Sequence, residues 1–206
     1  MFIDMKVLMY CLGPVQTNCY VLIEKGHALI IDLGDRFPQL DYILEENEAQ
    51  LDAILLTHAH FDHIQGVDAI VDKYDVPVYI HPKEVDALTD PVQNGSQSFM
   101  IPWRATNKAL PMLPGIHEIG PFTFKMVHTP GHSPGSSLFI FDDQMFAGDT
   151  IFQGSIGRTD LPGGNLNQMM ASLEKVKMYD VDYDIYPGHG PKTTLNQEKQ
   201  WNPYLR

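Results

Sequence analysis

Residues 57–66 read "THAHFDHIQG", and four of these ten, His58, His60, Asp62 and His63, are ligand types for a metal ion. Crowding three imidazoles and a carboxylate into six positions makes sense where a cation holds them, since nitrogen and carboxylate donors suit Zn²⁺, Fe²⁺ or Mn²⁺. The preceding "LDAILLT", residues 51–57, is a short apolar run that predicts a buried strand. The histidines therefore begin where that strand stops, which is where a rigid scaffold presents functional groups. On a regular strand or helix all four side chains could not converge. In a tight loop they can splay, so that one pair meets one metal and the other pair a second.

Four ligands do not complete two metal centres. Three more candidates stand beside turn residues at predicted strand ends: His132 in "HTPGHSPGSS", Asp149 in "FAGDTIF" and His189 in "YPGHGPKTT". With them the set is five histidines and two aspartates, without cysteine. His27, His81, His117 and His128 lie outside this pattern and read as structural or exposed residues.

Strand-like segments recur along the whole chain: "KVLMY", "NCYVLI", "HALIID", "LDAILLT", "PVYI", "FTFKMV", "SSLFIFD", "QMFAG" and "DYDIYPG". Helical spacing of apolar residues marks 37–48, 63–75 and 165–178, with stripes such as Ile64, Val67, Ile70, Val71 and Tyr74 that read as core faces. The order of strands and helices fits an α/β (α+β) chain in which two sheets pack together with helices outside. No repeat or Gly/Ser-rich linker divides it, so residues 1–206 are expected to form one domain. Residues 90–115 have four prolines and no clean period, yet carry Phe99, Met100, Ile101, Trp103 and Met112. This segment is a candidate lid over the site, a subunit contact in a homodimer, or a loop folded onto the core.

The net charge of −12 repels nucleic-acid phosphates and anionic membrane surfaces, so neither is an expected partner. No apolar run approaches the length of a membrane span. The N-terminal "MFIDMK" lacks the basic and apolar regions of an export signal, which makes the cytoplasm the expected compartment. Cys11 and Cys19 flank a predicted hairpin around Gly13 and Pro14. A cross-strand bridge is conceivable there, but buried free thiols are the simpler expectation.

Taken together, "ALIIDLGD", "THAHFDHIQG", "HTPGHSPGSS", "FAGDT" and "YPGHG" resemble the successive motifs of the metallo-β-lactamase superfamily, in order and over nearly the whole chain. "GDTIFQGSIGRTDLPGG" and "PGHGPKTTLNQEKQWNP" are most similar to short glyoxalase-II-like hydrolases. The resemblance implies a four-layer αββα sandwich with two divalent metal ions, zinc first and iron or manganese next, at one edge of the sheets. It implies that His58, His60 and His132 hold the first metal, that Asp62, His63 and His189 hold the second, and that Asp149 bridges both. Asp32 is either a carboxylate that orders the ligand loop or a strand-end turn residue.

Such a pair of cations would sharpen a bridging hydroxide for attack on an acyl carbon, with Asp62 as the catalytic carboxylate that aims it. The expected substrate is a small anionic thioester such as S-lactoylglutathione or a related acyl-thiol. A thiolate leaves without a strong general acid, whereas an amide nitrogen needs one. Arg158 in "GSIGRTD" is the candidate for binding the anionic end of the substrate, or else forms a surface salt bridge. Two departures from full-length glyoxalase II stand out. The chain runs only 17 residues past His189, short of a glutathione-gripping helical domain, and Asp160 stands where that enzyme offers a tyrosine. The main rival is a mononuclear-iron persulfide (sulfur) dioxygenase using positions His58, His132 and Asp149. A non-catalytic metal-holding protein is a further alternative.

Overall fold

The computed structural model describes residues 5–206; the first four, part of the N-terminal stretch read for an export signal, lie outside it. In chain order the elements are β1 (Lys6–Leu12), β2 (Thr17–Glu24), β3 (His27–Ile31), α1 (Leu40–Glu46), β4 (Gln50–Leu55), α2 (Phe61–Ile64), α3 (Val67–Tyr74), β5 (Val78–Ile80), β6 (Leu110–Pro111), β7 (Gly115–Ile119), β8 (Phe122–His128), β9 (Ser137–Phe141), β10 (Gln144–Gly148), β11 (Ile151–Phe152), β12 (Ser155–Ile156), α4 (Leu166–Lys177), β13 (Asp184–Pro187), β14 (Thr193–Thr194) and α5 (Leu195–Trp201). Two six-stranded sheets result. One runs β1-β2-β3-β4-β5-β6 and the other β14-β13-β10-β9-β8-β7; β11 and β12 form a separate small hairpin.

Three apolar layers separate four structural layers, and strand periodicity explains them. On β2, Tyr20 and Leu22 share the inner face of their sheet with Leu29 and Ile31 of β3 and Leu55 of β4, and Phe124, Phe139 and Phe146 of the opposite sheet meet them. The alternate residues Cys19, Val21 and Ile23 face outward and are covered by Leu40, Ile43 and Leu44 of α1 and Val67 and Ile70 of α3. On the second sheet, Leu138, Ile140, Met145 and Ile185 face Met169, Leu173 and Val176 of α4 and Leu195 of α5. Both faces of each sheet's centre are therefore dry, which is why these strands read as unbroken apolar runs. The expected αββα sandwich is the observed one. Among the described residues no helix is long and apolar enough to cross a membrane.

Two expectations change in detail. The apolar stripe of 63–75 predicts one helix, but α2 and α3 are separate. A side chain at Gly66 would meet Leu33 Cδ2 at 2.0 Å and Asp35 O at 2.1 Å, and the Gly66 N–H goes to Leu33 O at 2.9 Å instead of continuing a helix. Both cysteines are free thiols, but only Cys19 is buried; Cys11 is exposed.

Residues 90–115 divide. Asn94 anchors the first part, accepting from Ser96 N–H (3.0 Å) and donating to Trp103 O (2.9 Å), while its own carbonyl receives Phe61 N–H at 3.0 Å. Leu110–Pro111 pairs with β5 at the sheet edge, and Met112 enters the layer between the sheets.

Candidate metal centre

The seven candidate ligands sit at one edge of the sandwich, on segments that leave β4, β8, β10 and β13 at their C-terminal ends. The two sheets are tied together there: Ser137 N–H donates to Thr57 O at 2.9 Å and Asn18 N–H to Gly188 O at 2.8 Å. Close backbone approach demands glycine at this seam. Gly148 has φ +48°, and a Cβ on it would lie 2.4 Å from Thr57 Oγ1; a Cβ on Gly188 would lie 2.2 Å from Asp149 Oδ1. A register irregularity between Phe146 and Gly148 shifts the β10–β13 pairing just before it ends at Gly148–Pro187, and Asp149 follows into the cluster.

Ligand atoms gather as His58, His60 and His132, as His58, His63 and Asp149, and as Asp62, His63 and His189. His132 Nε2 lies 2.7 Å from His60 Nδ1 and 3.1 Å from His58 Nε2. His63 Nε2 lies 3.3 Å from His189 Nε2, which is itself 3.3 Å from Asp62 Oδ2. Asp149 stands between the two groups, with Oδ1 3.4 Å from His63 Nε2 and Oδ2 3.3 Å from His132 Nε2. His58, His60, His63 and His132 are all at most 3% exposed.

Lone pairs face one another in this arrangement. His63 gives its Nδ1 proton to Asp32 Oδ2 at 2.9 Å, so in the neutral ring Nε2 presents a lone pair to Asp149 Oδ1. Asp149 Oδ1 is buried without a hydrogen-bond partner. Buried acceptors aimed at each other are costly unless a cation or a proton joins them. The proton affinities reflect this. Burial opposes charge on His63, but the carboxylates of Asp149, Asp32 and Asp62 outweigh it and raise its pKa well above the ordinary value. Burial would raise the Asp149 pKa, yet its electrostatic coupling to the neighbouring His63 and His132 holds it far below the usual carboxylate range. His60, mainly through burial and then through His132, is depressed to about 3 and stays neutral, as a ligand must. The donor set and its unpartnered oxygen fit divalent cations.

A second tier fixes ring orientations. Asp32, at φ +56°, accepts from Thr57 N–H (2.8 Å), Thr57 Oγ1 (2.8 Å) and His63 Nδ1 (2.9 Å), and Thr57 Oγ1 faces His58 Nδ1 at 3.0 Å. Asp32 is thus a turn residue and an orienting carboxylate at once. Two elements of this tier carry no sequence signal. The Arg158 carbonyl accepts from His132 Nδ1 at 2.7 Å. Glu84, 2% exposed, accepts from Ala59 N–H (3.1 Å), Ser133 Oγ (2.6 Å) and Gly135 N–H (2.6 Å), so it staples the His58–His60 segment to the His132 loop. Burial raises the Glu84 pKa and those three donors oppose the rise.

The cluster opens into a cleft of about 440 Å³. His60, Asp62, His132, Asp149 and His189 form its floor, and Val15, Phe61, Phe99, Phe152, Ile156 and Leu161 form most of its walls. Among the described residues Arg158 is its one cationic wall residue apart from the histidines. Its exposed guanidinium is engaged by Asp160 in a two-point pair, Nε to Oδ1 at 2.7 Å and Nη2 to Oδ2 at 2.8 Å. The four histidines outside the ligand pattern lie elsewhere. His27 pairs with Asp52 Oδ2 (2.8 Å), His117 meets Leu113 O (2.7 Å), and His81 stacks on His128 with ring centres 4.1 Å apart.

The model of one family, described as the metallo-beta-lactamase superfamily, matches residues 12–189. A probable metallo-hydrolase of Bacillus subtilis, YqgX, is 41% identical over 198 residues, covering 94% of each chain. The hydroxyacylglutathione hydrolase GloC of Haemophilus influenzae is 32% identical over 201 residues, covering 92% of this chain and 93% of that one. Among solved structures, the B3 metallo-beta-lactamase BLEG-1 superposes with a TM-score of 0.91 at 42% identity, covering 97% of this chain and 99% of that one. TTHA1623, in a di-iron-bound form, superposes with a TM-score of 0.87 at 35% identity, covering 97% and 100%.

Proposed function

The chain belongs to the metallo-β-lactamase superfamily, and from that membership we propose that it is a two-metal hydrolase that cleaves acyl thioesters, S-lactoylglutathione or a related acyl-thiol among them. The observation that carries this reading is the placement of Asp149, one carboxylate oxygen toward His132 and the other toward His63, between two groups of ligands. His58, His60 and His132 would hold one ion, Asp62, His63 and His189 the other, and Asp149 both. Zinc fits the nitrogen-rich donor set, and iron fits it as well.

When bound, a pair of divalent cations supplies Lewis acidity, acidifying water and polarising a carbonyl. The chain's own groups supply the rest. Burial opposes charge on Asp62, but His63 and His189 hold its pKa below the usual carboxylate value, so at neutral pH it would be an ionised hydrogen-bond acceptor that orients the attacking water. Phe61, Phe99 and Phe152 limit water around the reacting carbon. Among the described cleft residues there is no tyrosine, lysine, cysteine or glutamate to protonate a leaving nitrogen. A thiolate, with an ordinary pKa near ~8.5, needs no such donor. The similarity to GloC supports the same choice. The first part of the 90–115 segment, through Asn94, Gly95 and Phe99, would act as a wall or lid of the substrate cleft.

The test is metal analysis of the purified chain coupled to turnover on the same sample. About two equivalents of zinc-like or iron metal together with thioester hydrolysis support the proposal. One iron with O₂ consumption on glutathione persulfide, and no thioester cleavage, would replace it with the dioxygenase reading. A fully metal-loaded chain that turns over neither would be a metal-holding protein.

A further inference from the structure

We propose that the cleft selects its thioester by an apolar acyl chain rather than by the anionic end of the thiol; this rests on the thioesterase reading. Two observations carry it. The walls beside the metal cluster are hydrocarbon and aromatic: Phe61 and Phe99 pack ring to ring at 5.2 Å, and Phe152 meets the His189 ring at 6.0 Å on the other side. Phe99 nevertheless remains 46% exposed, so its free face is available to a ligand in the cleft. Among the described cleft residues the one cation apart from histidine is Arg158, and Asp160 holds its Nε and Nη2 in a two-point pair that offsets its charge toward an anionic substrate tail. A site built to grip a doubly carboxylated thiol would leave that guanidinium free. A cleft of about 440 Å³ lies within the range that encloses a small organic molecule with mostly apolar walls.

Hydrophobic burial of one methylene changes binding roughly fourfold. The experiment measures kcat/KM of the metal-loaded chain on thioesters of one uncharged thiol, N-acetylcysteamine, with acetyl, butyryl, hexanoyl and octanoyl groups, and on S-lactoylglutathione. Calorimetry of octanoate against acetate reads the same cleft without turnover. The expected result is a rise of roughly threefold or more per added methylene up to the length of the cleft, octanoate binding above acetate, and a flattened rise in Phe99→Ala. Restoration of the slope in Phe99→Leu separates lost apolar contact from lost folding. Asp160→Asn should raise kcat/KM on S-lactoylglutathione severalfold and leave the acyl-chain slope alone. Equal rates along the series, equal binding of the two acids and a preference for S-lactoylglutathione would overturn the inference while keeping the thioesterase. Selective octanoate binding with no thioester cleaved would instead overturn the thioesterase and keep the apolar cleft.

Discussion

Asp149 is the residue on which the site turns. Its carboxylate faces two ligand groups, and removing it leaves His63 and His132 without the charge that links them. Asp149→Ala is expected to lower kcat/KM by roughly 10²–10³-fold and to reduce bound metal; a folded, fully loaded variant with ordinary turnover would refute the assignment. Glu84 makes a different demand. Its three donors, Ala59 N–H, Ser133 Oγ and Gly135 N–H, come from the two loops that present His58, His60 and His132. Glu84→Gln sets an amide NH₂ against one or more of those donors. We expect metal affinity to fall roughly 10–100-fold, as for other outer partners of metal ligands, read by competition with a chromogenic chelator. The seven candidate ligands were legible in the sequence because five are histidines, a scarce residue here, and all seven stand at turns beside predicted strand ends. Glu84 was not, since "HPKE" looks like any charged helix start, and the Arg158 carbonyl could not be, because a main-chain acceptor leaves no mark in a sequence.

Elements were legible wherever burial gave them a period. The central strands and the stripe of α4 follow their apolar spacing. β6, β11, β12 and β14 are two residues each, too short to show any period, and β7 alternates half-buried with exposed residues in a stretch with little apolar contrast. The break between α2 and α3 escaped the pattern for a different reason. The stripe continues through Gly66, and only the close approach of Leu33 and Asp35 interrupts the helix. Gly66→Ala would favour the helix locally but places a methyl into the Asp35 carbonyl. A destabilisation of about 1–3 kcal/mol is expected, with metal lost in parallel because His63 lies three residues earlier. Unchanged melting and metal content would show that the strand-end loop yields easily.

At the scale of the whole molecule, the ligand edge is also a stability device. Metals that bind only the folded chain stabilise it by about 2.7 kcal/mol at a hundredfold excess over Kd, so chelation should lower Tm by roughly 5–10 °C for a chain of this size. A metal-independent Tm would mean that the edge is rigid without ions. A pH-linked contribution comes from His81 and its stacking partner His128, which pack beside the His132 loop at Gly135 and Pro134. Burial, then His128 and Lys83, depress His81 to about 4. The folded chain therefore prefers neutral His81, and its contribution is complete above the unfolded value near ~6.5 and is lost as pH falls toward 4. In the metal-free chain, urea titrations should find a loss on the order of 1–2 kcal/mol across that window, diminished in His81→Gln. The net charge of −12 belongs to this scale too, and cations bound at the cluster would offset part of it locally.

The contact between the Arg158 carbonyl and His132 Nδ1 separates two jobs that share one position. Any amino acid there can offer the same main-chain oxygen, so the imidazole keeps its aim whatever side chain follows. The side chains at 158 and 160 can therefore change without moving the main-chain oxygen that aims His132, and a scaffold wired in this way can vary its cleft rim at little risk to the cluster beneath it.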